Sequence, residues 1–264
     1  MRIVQISDLH ITKEGKKACK ITPTTKNLQK CIKHINAITP SIDLILVTGD
    51  ITNEGSLEET QRAKTILDNL NAPYFLTPGN HDNRDHLLSV FGEEHISVSS
   101  KGFINYVINK SAIRLVCLDS VIEGRSGAEF CDIRAAWLEK ELKKETEKPT
   151  IIFMHHPPIK FGILETDQDG FIGAKRLGKI IQKQANILAI LCGHVHLQAN
   201  IAWNGTVVCT SPSMGMQLLL DLTQTLPSQF FNTDPAYQLH YFTPEKELVS
   251  FAISTTKMDG PYPF

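Results

Sequence analysis

The sequence has no excess of charge of either sign. Its 264 residues include 27 Lys and Arg against 28 Asp and Glu, which gives a formal net charge of −1 at pH 7. A basic surface that holds a nucleic acid or an anionic membrane by bulk charge is therefore not expected. With 42% hydrophobic and 21% charged residues, the composition is typical of a globular protein. We expect a small-molecule partner rather than a polyanion.

Long apolar runs and paired cysteines are also missing. No segment approaches the roughly 18 consecutive apolar residues of a membrane span, and the first residues do not resemble a signal peptide. The six cysteines form no C-x-x-C pair, which predicts free thiols in a reducing compartment, and three of them lie in apolar runs, where buried thiols are expected. No G-x-S-x-G elbow is present, so the nucleophile of a serine hydrolase is lacking. These absences favour a cytoplasmic protein without a membrane partner.

Short β-branched runs alternate with amphipathic patterns through most of the chain, which indicates an α/β fold. After residue 197 the pattern changes to strands alone, and Asn204-Gly205 predicts a two-residue hairpin. No stretch rich in Pro, Gly or Ser marks a linker, so we expect one domain. The predicted strands are Ile3–Ser7, Ile42–Thr48, Tyr74–Thr77, Phe103–Ile108, Ile113–Leu118, Thr150–Met154, Ile187–Leu191, Ile201–Trp203, Thr206–Cys209, Tyr237–Phe242 and Leu248–Ser254. The predicted helices are Lys26–Ile38, Leu57–Leu70 and Ile133–Glu145.

Five of the predicted strands end abruptly in residues that commonly bind metals. In α/β sheets the carboxyl ends of the strands form the ligand-binding crevice, so these five ends are expected to converge. Six of the ten histidines belong to this set. A single His or Asp at a strand end is usually a turn residue, but five such ends together predict a metal site. The residues concerned are Asp8, His10, Asp50, Asn80, His81, Asp82, His155, His156, His194 and His196.

The residue types and spacing narrow the kind of metal site. Imidazole, carboxylate and amide ligands without a thiolate suit Mn, Fe, Co, Zn or Ni better than Mg or Ca. Seven of these ten residues are counted as candidate ligands. One ion does not take so many ligands from a protein, which favours two ions that share a carboxylate. In extended backbone, residues two apart point to the same side, so spacing alone would place His194 and His196 on one ion. Gly49, Gly79 and Gly193 remove side-chain bulk just before ligands and permit close approach.

The residues as a set resemble the five-block signature of the calcineurin-like metallophosphoesterases. The blocks are Asp8 with His10, Gly49-Asp50, residues 79–82, His155, and Gly193 to His196. The chain also resembles the bacterial class III cyclic nucleotide phosphodiesterases and glycerophosphodiesterases, through residues 155–158, residues 211–213 with Gln217, and the tail 259–264.

The resemblance implies a fold and a domain organisation. The fold is a four-layer αββα sandwich with two mixed β-sheets flanked by helices. A single domain covers residues 1–264, in which residues 210–264 complete the second sheet and form a C-terminal tail.

The resemblance also implies a role for each site residue. Asp8, His10 and His196 would hold the first ion. Asn80, His155 and His194 would hold the second, and Asp50 would bridge the two. His81 and Asn80 would act in catalysis by contacting the phosphate, and His156 and Asp82 would support the ligands from behind. The cofactors implied are two divalent or trivalent ions, Fe, Mn, Zn or Co.

The leading functional hypothesis is hydrolysis of a small phosphodiester by in-line attack of a hydroxide held between the two ions. As the substrate, a 3′,5′-cyclic nucleotide such as cyclic AMP is slightly favoured over a glycerophosphodiester. A phosphomonoesterase is the second enzymatic alternative, since the same two metals serve both reactions. A non-catalytic scaffold is the third, and the intact ligand set argues against it. The sequence leaves open whether the chain forms a homodimer.

Overall fold

The computed structural model describes residues 1–99, 102–110, 112–260 and 262–263; Pro261 and Phe264 of the tail lie outside the described residues. The strands are β1 (Arg2–Ile6), β2 (Leu44–Thr48), β3 (Tyr74–Thr77), β4 (Tyr106–Asn109), β5 (Arg114–Cys117), β6 (Ala128–Glu129), β7 (Thr150–Phe153), β8 (Phe171–Ile172), β9 (Ile187–Cys192), β10 (Ala199–Trp203), β11 (Thr206–Thr210), β12 (Met216–Leu218), β13 (Phe230–Asn232), β14 (Ala236–Phe242) and β15 (Leu248–Ser254). The helices are α1 (Thr24–Asn36), α2 (Leu57–Leu67), α3 (Arg84–Phe91), α4 (Asp132–Leu142), α5 (Leu164–Asp169) and α6 (Ala174–Ile181).

Two large mixed sheets form the framework. The five-stranded sheet has the order β15-β14-β1-β2-β3, with β1, β2 and β3 parallel and β14 and β15 antiparallel to their neighbours. The six-stranded sheet has the order β10-β11-β9-β7-β5-β4, in which β11, β9, β7 and β5 are parallel. The parallel strands direct their carboxyl ends to one edge of each sheet, where the predicted ligands follow.

Successive side chains of a strand point to opposite faces of its sheet, so one face packs towards the other sheet and the opposite face packs against helices. On β5, Leu115 and Cys117 belong to the core that includes the five-stranded sheet, whereas Val116 packs with α4 and α6 through residues such as Leu138 and Leu177. Helices α1 and α2 pack on the five-stranded sheet and belong to the same core as Leu115 and Cys117. The predicted mixed α/β sandwich with two sheets and flanking helices is confirmed.

Most of the predicted strands and helices agree with the structure to within a few residues at each end. Tyr74–Thr77 and Leu248–Ser254 form strands with the predicted bounds, but the predicted strand Phe103–Ile108 pairs only from Tyr106 onwards. Helix α3 was not predicted. Its eight residues, Arg84–Phe91, follow the N-cap Asn83, whose side chain accepts a hydrogen bond from the His86 N–H, and they are too few to show a clear helical period.

The chain after residue 210 contributes to two places. Strands β14 and β15 extend the sheet that contains β1, with Val4 opposite Leu239, and β12 and β13 pair with each other. In the part of the chain that is described, no helix has the length and apolar character to traverse a membrane.

A buried polar network joins the two sheets beneath the strand ends. The Gln5 amide donates to Thr48 Oγ1 at 3.0 Å and to the Cys192 carbonyl at 2.8 Å. His240 Nε2 donates to Gln5 Oε1 at 3.1 Å, and its Nδ1 lies 2.7 Å from Ser250 Oγ. Because Gln5, Thr48 and Cys192 lie at or near the ends of β1, β2 and β9, this network fixes the distance between the loops that follow.

Candidate metal centre

The predicted ligands converge on one crevice between the two sheets. The predicted ligands that follow β1, β2 and β3 lie at the end of the five-stranded sheet. The predicted ligands that follow β7 and β9 lie at the end of the six-stranded sheet. They separate into two adjoining groups, in one of which the candidate ligand atoms all lie within 4.8 Å of one another. This first group is Asp8, His10, Asp50 and His196.

Three of the four residues of the first group are almost completely buried, His196 is partly buried, and the group is crowded with electronegative atoms. His10 Nε2 lies 3.1 Å from His196 Nε2 and 3.7 Å from Asp50 Oδ2. His196 Nε2 lies 3.3 Å from Asp8 Oδ1. The exposed fractions of Asp8, His10 and Asp50 are 0%, 4% and 2%. Such a set of buried nitrogen and carboxylate ligands needs either protons or a cation between its members.

The second group adjoins the first through Asp50. His155 Nε2 lies 3.1 Å from Asn80 Oδ1 and 3.4 Å from Asp50 Oδ2. His194 Nδ1 lies 3.2 Å from the same Asn80 oxygen. Asp50 Oδ2 therefore faces an imidazole of each group, His10 in one and His155 in the other, as a shared carboxylate would.

The backbone at the ligands is not extended. Asp8, His10, Asp50, His194 and His196 all have left-handed φ angles, between 42° and 71°. The premise that the i, i+2 pairs lie in extended backbone is therefore wrong. Tight turns aim successive side chains separately, which is why His194 falls in the second group and His196 in the first. Such backbone is costly for non-glycine residues and is found where the surroundings fix it, often at functional sites.

Glycines permit the close packing that the centre requires. Gly49 has φ +89°, and a Cβ on it would collide with the ring of His155. A Cβ on Gly193 would collide with Ser7 Oγ and crowd the carboxylate of Asp8. Any side chain at either position would push a candidate ligand out of place.

Backbone carbonyls orient two of the imidazoles. His155 Nδ1 donates to the Thr48 carbonyl at 2.8 Å, and His196 Nδ1 donates to the Met216 carbonyl at 2.8 Å. In both rings Nε2 is therefore turned towards the centre. A metal-binding histidine commonly has its other nitrogen fixed in this way. Buried His10 Nδ1 has no hydrogen-bond partner in the described part of the chain.

His156 is held differently from His155. Its Nε2 donates to the Ser126 carbonyl at 3.0 Å, and its Nδ1 lies 2.8 Å from Ser120 Oγ, from which it accepts. Burial, followed by the neighbouring His194 and His155, holds the pKa of His156 well below its usual range. Both of its nitrogens are occupied, although the ring lies in a cluster with His155 and His194.

Without a bound cation, protons balance the negative charge of the carboxylates in the centre. Burial opposes charge on Asp50, but His155 and His10 outweigh it and hold the pKa of Asp50 well below its usual range. Burial also disfavours charge on His155, yet Asp50 and Asp8 raise its pKa to about 9. Burial lowers the pKa of His10 to about 3. Cations with two or more charges fit this donor set, because they would replace the protons.

Asp82 fastens the turn that carries Asn80. Its carboxylate accepts from the backbone N–H of Ile51 at 3.1 Å, Thr52 at 2.9 Å and Gly79 at 2.9 Å. Burial and the nearby Asp50 raise the pKa of Asp82 to about 6. Its contacts thus tie the loop after β3 to the loop after β2.

His81 lies at the mouth of the centre. Its Nδ1 donates to the Asn53 carbonyl at 2.8 Å, and its backbone N–H donates to Asp50 Oδ1 at 2.9 Å. The ring stands edge-on to His10, with centroids 4.7 Å apart. Its Nε2 makes no hydrogen bond within the described residues, so it is free to meet a bound molecule.

A cavity of about 300 Å³ opens over both groups. Residues from the segments 11–25, 122–130 and 157–172 and from the stretch after residue 210 line it. A larger cavity of about 560 Å³ lies beside β4, away from every predicted ligand. Besides the predicted residues, the lining over the centre includes Cys19, Asn53, Ser126, Glu165, Thr166, Asp169, Met216, Leu218, Ser228, Gln229 and Phe230.

One residue near the ligands was not predicted. Asp169 Oδ2 lies 3.4 Å from His194 Nε2. Nothing in the sequence distinguishes Asp169 from Glu165 and Asp167 of the same short acidic helix. Its position follows from how α5 folds over the crevice, which local sequence does not reveal.

Comparison with known proteins identifies the family. The model of the family described as "Calcineurin-like phosphoesterase" matches residues 1–198, which contain every predicted ligand. The chain belongs to the calcineurin-like phosphoesterase family, as the sequence predicted.

Several relatives match over most of the chain. A protein of Arcobacter nitrofigilis named "Probable glycerophosphodiester phosphodiesterase GpdQ" is 40% identical, and the match covers 100% of this chain and 97% of that protein. The "Glycerophosphodiester phosphodiesterase GpdQ" of Enterobacter lignolyticus is 28% identical over 99% of this chain and 94% of its own. The "3',5'-cyclic adenosine monophosphate phosphodiesterase CpdA" of Escherichia coli is 28% identical over 82% of this chain and 77% of its own.

Solved structures share the fold at low sequence identity. A dimetal phosphatase from Danio rerio has a TM-score of 0.61 and 12% identity, covering 97% of this chain and 99% of its own. The purple acid phosphatase PPD1 of yellow lupin has a TM-score of 0.62 and 15% identity, covering 96% of this chain and 53% of its own.

Proposed function

We propose that the chain is a phosphodiesterase that hydrolyses small phosphodiesters at a centre of two metal ions. The observation that carries the proposal is the pair of ligand groups that share Asp50 at the floor of one cavity. His10 Nε2 lies 3.7 Å and His155 Nε2 lies 3.4 Å from the same Asp50 oxygen.

The proposed ligands are assigned from these contacts. Asp8, His10 and His196 would hold the first ion, Asn80, His155 and His194 the second, and Asp50 both. His155 rather than His156 is chosen because only His155 turns a free nitrogen towards Asp50. The mixed nitrogen and oxygen set suits Fe, Mn, Zn or Co.

Two such ions, when bound, supply Lewis-acid stabilisation of the phosphoryl group and a hydroxide nucleophile near neutral pH. The chain itself supplies orientation and protons. Asp82 holds the turn that presents Asn80, whose amide N–H can donate to a phosphoryl oxygen. When its ring is protonated on both nitrogens, His81 can donate the Nε2–H, which is free in the cavity, to the leaving alcohol oxygen. No protein nucleophile is required.

A singly charged diester suits the cavity better than a monoester. The described lining contains no Lys or Arg, and it includes the carboxylates of Glu165 and Asp169. A phosphomonoester would bring a second negative charge to this wall without a side-chain cation to meet it.

Among diesters, a glycerophosphodiester is the first candidate. The 40% identical relative with that name is matched over the whole chain, including the segment that carries Met216, Leu218 and Phe230 over the cavity. A 3′,5′-cyclic nucleotide is the second candidate, favoured by the match to the Escherichia coli enzyme. Phe230 is the single carbocyclic aromatic residue in the described lining, which limits the stacking available to a nucleobase.

Side-by-side turnover tests the proposal. With Mn²⁺ added, a glycerophosphodiester, cyclic AMP and p-nitrophenyl phosphate are supplied at equal concentrations. We expect kcat/KM to be highest for a diester and lowest for the monoester. Preference for the monoester would contradict the diesterase assignment, and inactivity on all three with two ions bound would favour a scaffold.

A cytoplasmic location is part of the proposal. All six cysteines are free, and Cys31, Cys117, Cys192 and Cys209 are buried. Burial raises the pKa of Cys31 to about 12 and of Cys209 to about 11, so these thiols are unreactive core residues. Unpaired thiols of this kind are typical of a reducing compartment.

A further inference from the structure

Among the described residues, no backbone carbonyl orients His194, unlike His155, the other imidazole of the proposed second group. His155 is fixed through Nδ1 by the Thr48 carbonyl, as His196 of the first group is fixed by Met216. His194 instead has Nδ1 3.2 Å from Asn80 Oδ1 and Nε2 3.4 Å from Asp169 Oδ2. The nitrogen that faces away from the centre therefore has a carboxylate as its neighbour.

Asp169 is itself held in place by several contacts. Ser126 Oγ donates a short hydrogen bond to Asp169 Oδ1, which leaves Oδ2 for His194. A Cβ on Gly127 would collide with the Asp169 carbonyl, so the two backbones touch. The Ala128 N–H donates to the Gly170 carbonyl at 3.0 Å, next to the pairing of β6 with β8. Asp169 is thus anchored at the junction of α5 and β8, although α5 has no buried residue.

We infer that Asp169 is the positioning residue of His194: its carboxylate accepts the Nε2–H and thereby turns the Nδ1 lone pair towards the second ion. A negatively charged carboxylate beside the outer nitrogen also strengthens the imidazole as a ligand. The inference rests on the proposed two-ion centre and adds to it a residue of the cavity wall that acts on the second ion through His194.

The arrangement links the second ion to the wall of the substrate cavity. Asp169 belongs to the same helix as Glu165 and Thr166, which line the cavity. The first ion has no comparable dependence, because its His196 is oriented by the main chain. Removal of the Asp169 carboxylate should therefore weaken the binding of the second ion and leave the binding of the first ion nearly unchanged.

The test is Mn²⁺ binding to the full-length protein after chelation, with free Mn²⁺ followed by electron paramagnetic resonance. In Asp169→Ala we expect the Kd of the second ion to rise about 10–100-fold, the usual effect of removing a ligand's outer partner. The Kd of the first ion should stay within about threefold of wild type, because no outer partner of its ligands is removed. Asp169→Asn, which keeps an acceptor oxygen but no charge, should fall between Asp169→Ala and wild type.

Glu165→Gln is the matched control, since it removes one negative charge from the same helix and cavity. Its second-ion Kd should stay within about twofold of wild type, because Glu165 is exposed and its charge is screened by solvent and salt. An unchanged second-ion Kd in Asp169→Ala, or equal weakening of both ions, would overturn the inference while leaving the two-ion centre intact. A wild-type protein that takes up no Mn²⁺ would overturn the centre, and the inference with it.

Discussion

The two ligand groups differ in what holds them. In the first group, two buried carboxylates, Asp8 and Asp50, accompany His10 and His196, and the main chain at Met216 fixes His196. In the second group the amide of Asn80 stands where the first group has Asp8. One framework can thus support a site with two carboxylates beside a site that has only the shared Asp50 carboxylate and in which a side chain, Asp169, lies against His194.

The largest expected effect comes from the residue that both groups share. Asp50→Ala should lose both ions, because each group loses its common carboxylate. Turnover should fall by more than about 10⁴-fold, beyond the range of about 10²–10⁴ that one general acid supplies. Mass spectrometry measures the number of bound ions, and kcat measures the loss of turnover. Retention of two ions would show that Asp50 is not the bridge.

His81→Ala separates chemistry from metal binding. We expect both ions to remain and kcat to fall by about 10²–10⁴-fold, the usual contribution of a positioned acid. His86→Ala is a suitable comparison, because His86 bonds the Gly55 carbonyl and does not line the cavity. If His81→Ala released the ions, His81 would belong to the metal site instead.

Two single-ligand variants test the division into groups. His10→Ala should weaken the first ion and Asn80→Ala the second, each by more than the roughly 10–100-fold that loss of an outer partner costs. His10 is a clean choice, since its Nδ1 has no partner within the described residues that would be disturbed. Loss of the same ion in both variants would contradict two separate groups.

The smallest effect concerns the network beneath the centre. Burial lowers the pKa of His240 to about 4, from 6.5 in the unfolded chain. The unfolded state therefore binds the proton first, and stability is lost as the pH falls from about 6.5 to 4, by up to roughly 3 kcal/mol.

His240→Gln should reduce this pH dependence, to which buried His10 and His156 also contribute, while leaving metal content unchanged. Free energies of unfolding by urea at pH 7.5 and pH 5, with chelator present, measure the effect. The same slope in the variant and the wild type would show that His240 does not cause it.

The sequence predicted which residues meet, but not how each is held. Five strand ends in an α/β pattern were sufficient to bring Asp8, Asp50 and His155 to one crevice. The left-handed backbone at His194 and His196 could not be foreseen, because period-two reasoning applies only to extended chain. Asp169 was missed since its role depends on the path of α5, which tertiary contacts set rather than local pattern.

The most direct test is anomalous diffraction from crystals of the Mn²⁺-loaded protein. The account predicts two peaks about 3.5–4 Å apart, with Asp50 contacting both. Asp8, His10 and His196 should surround one ion, and Asn80, His155 and His194 the other. A single peak, or two ions without Asp50 between them, would contradict it.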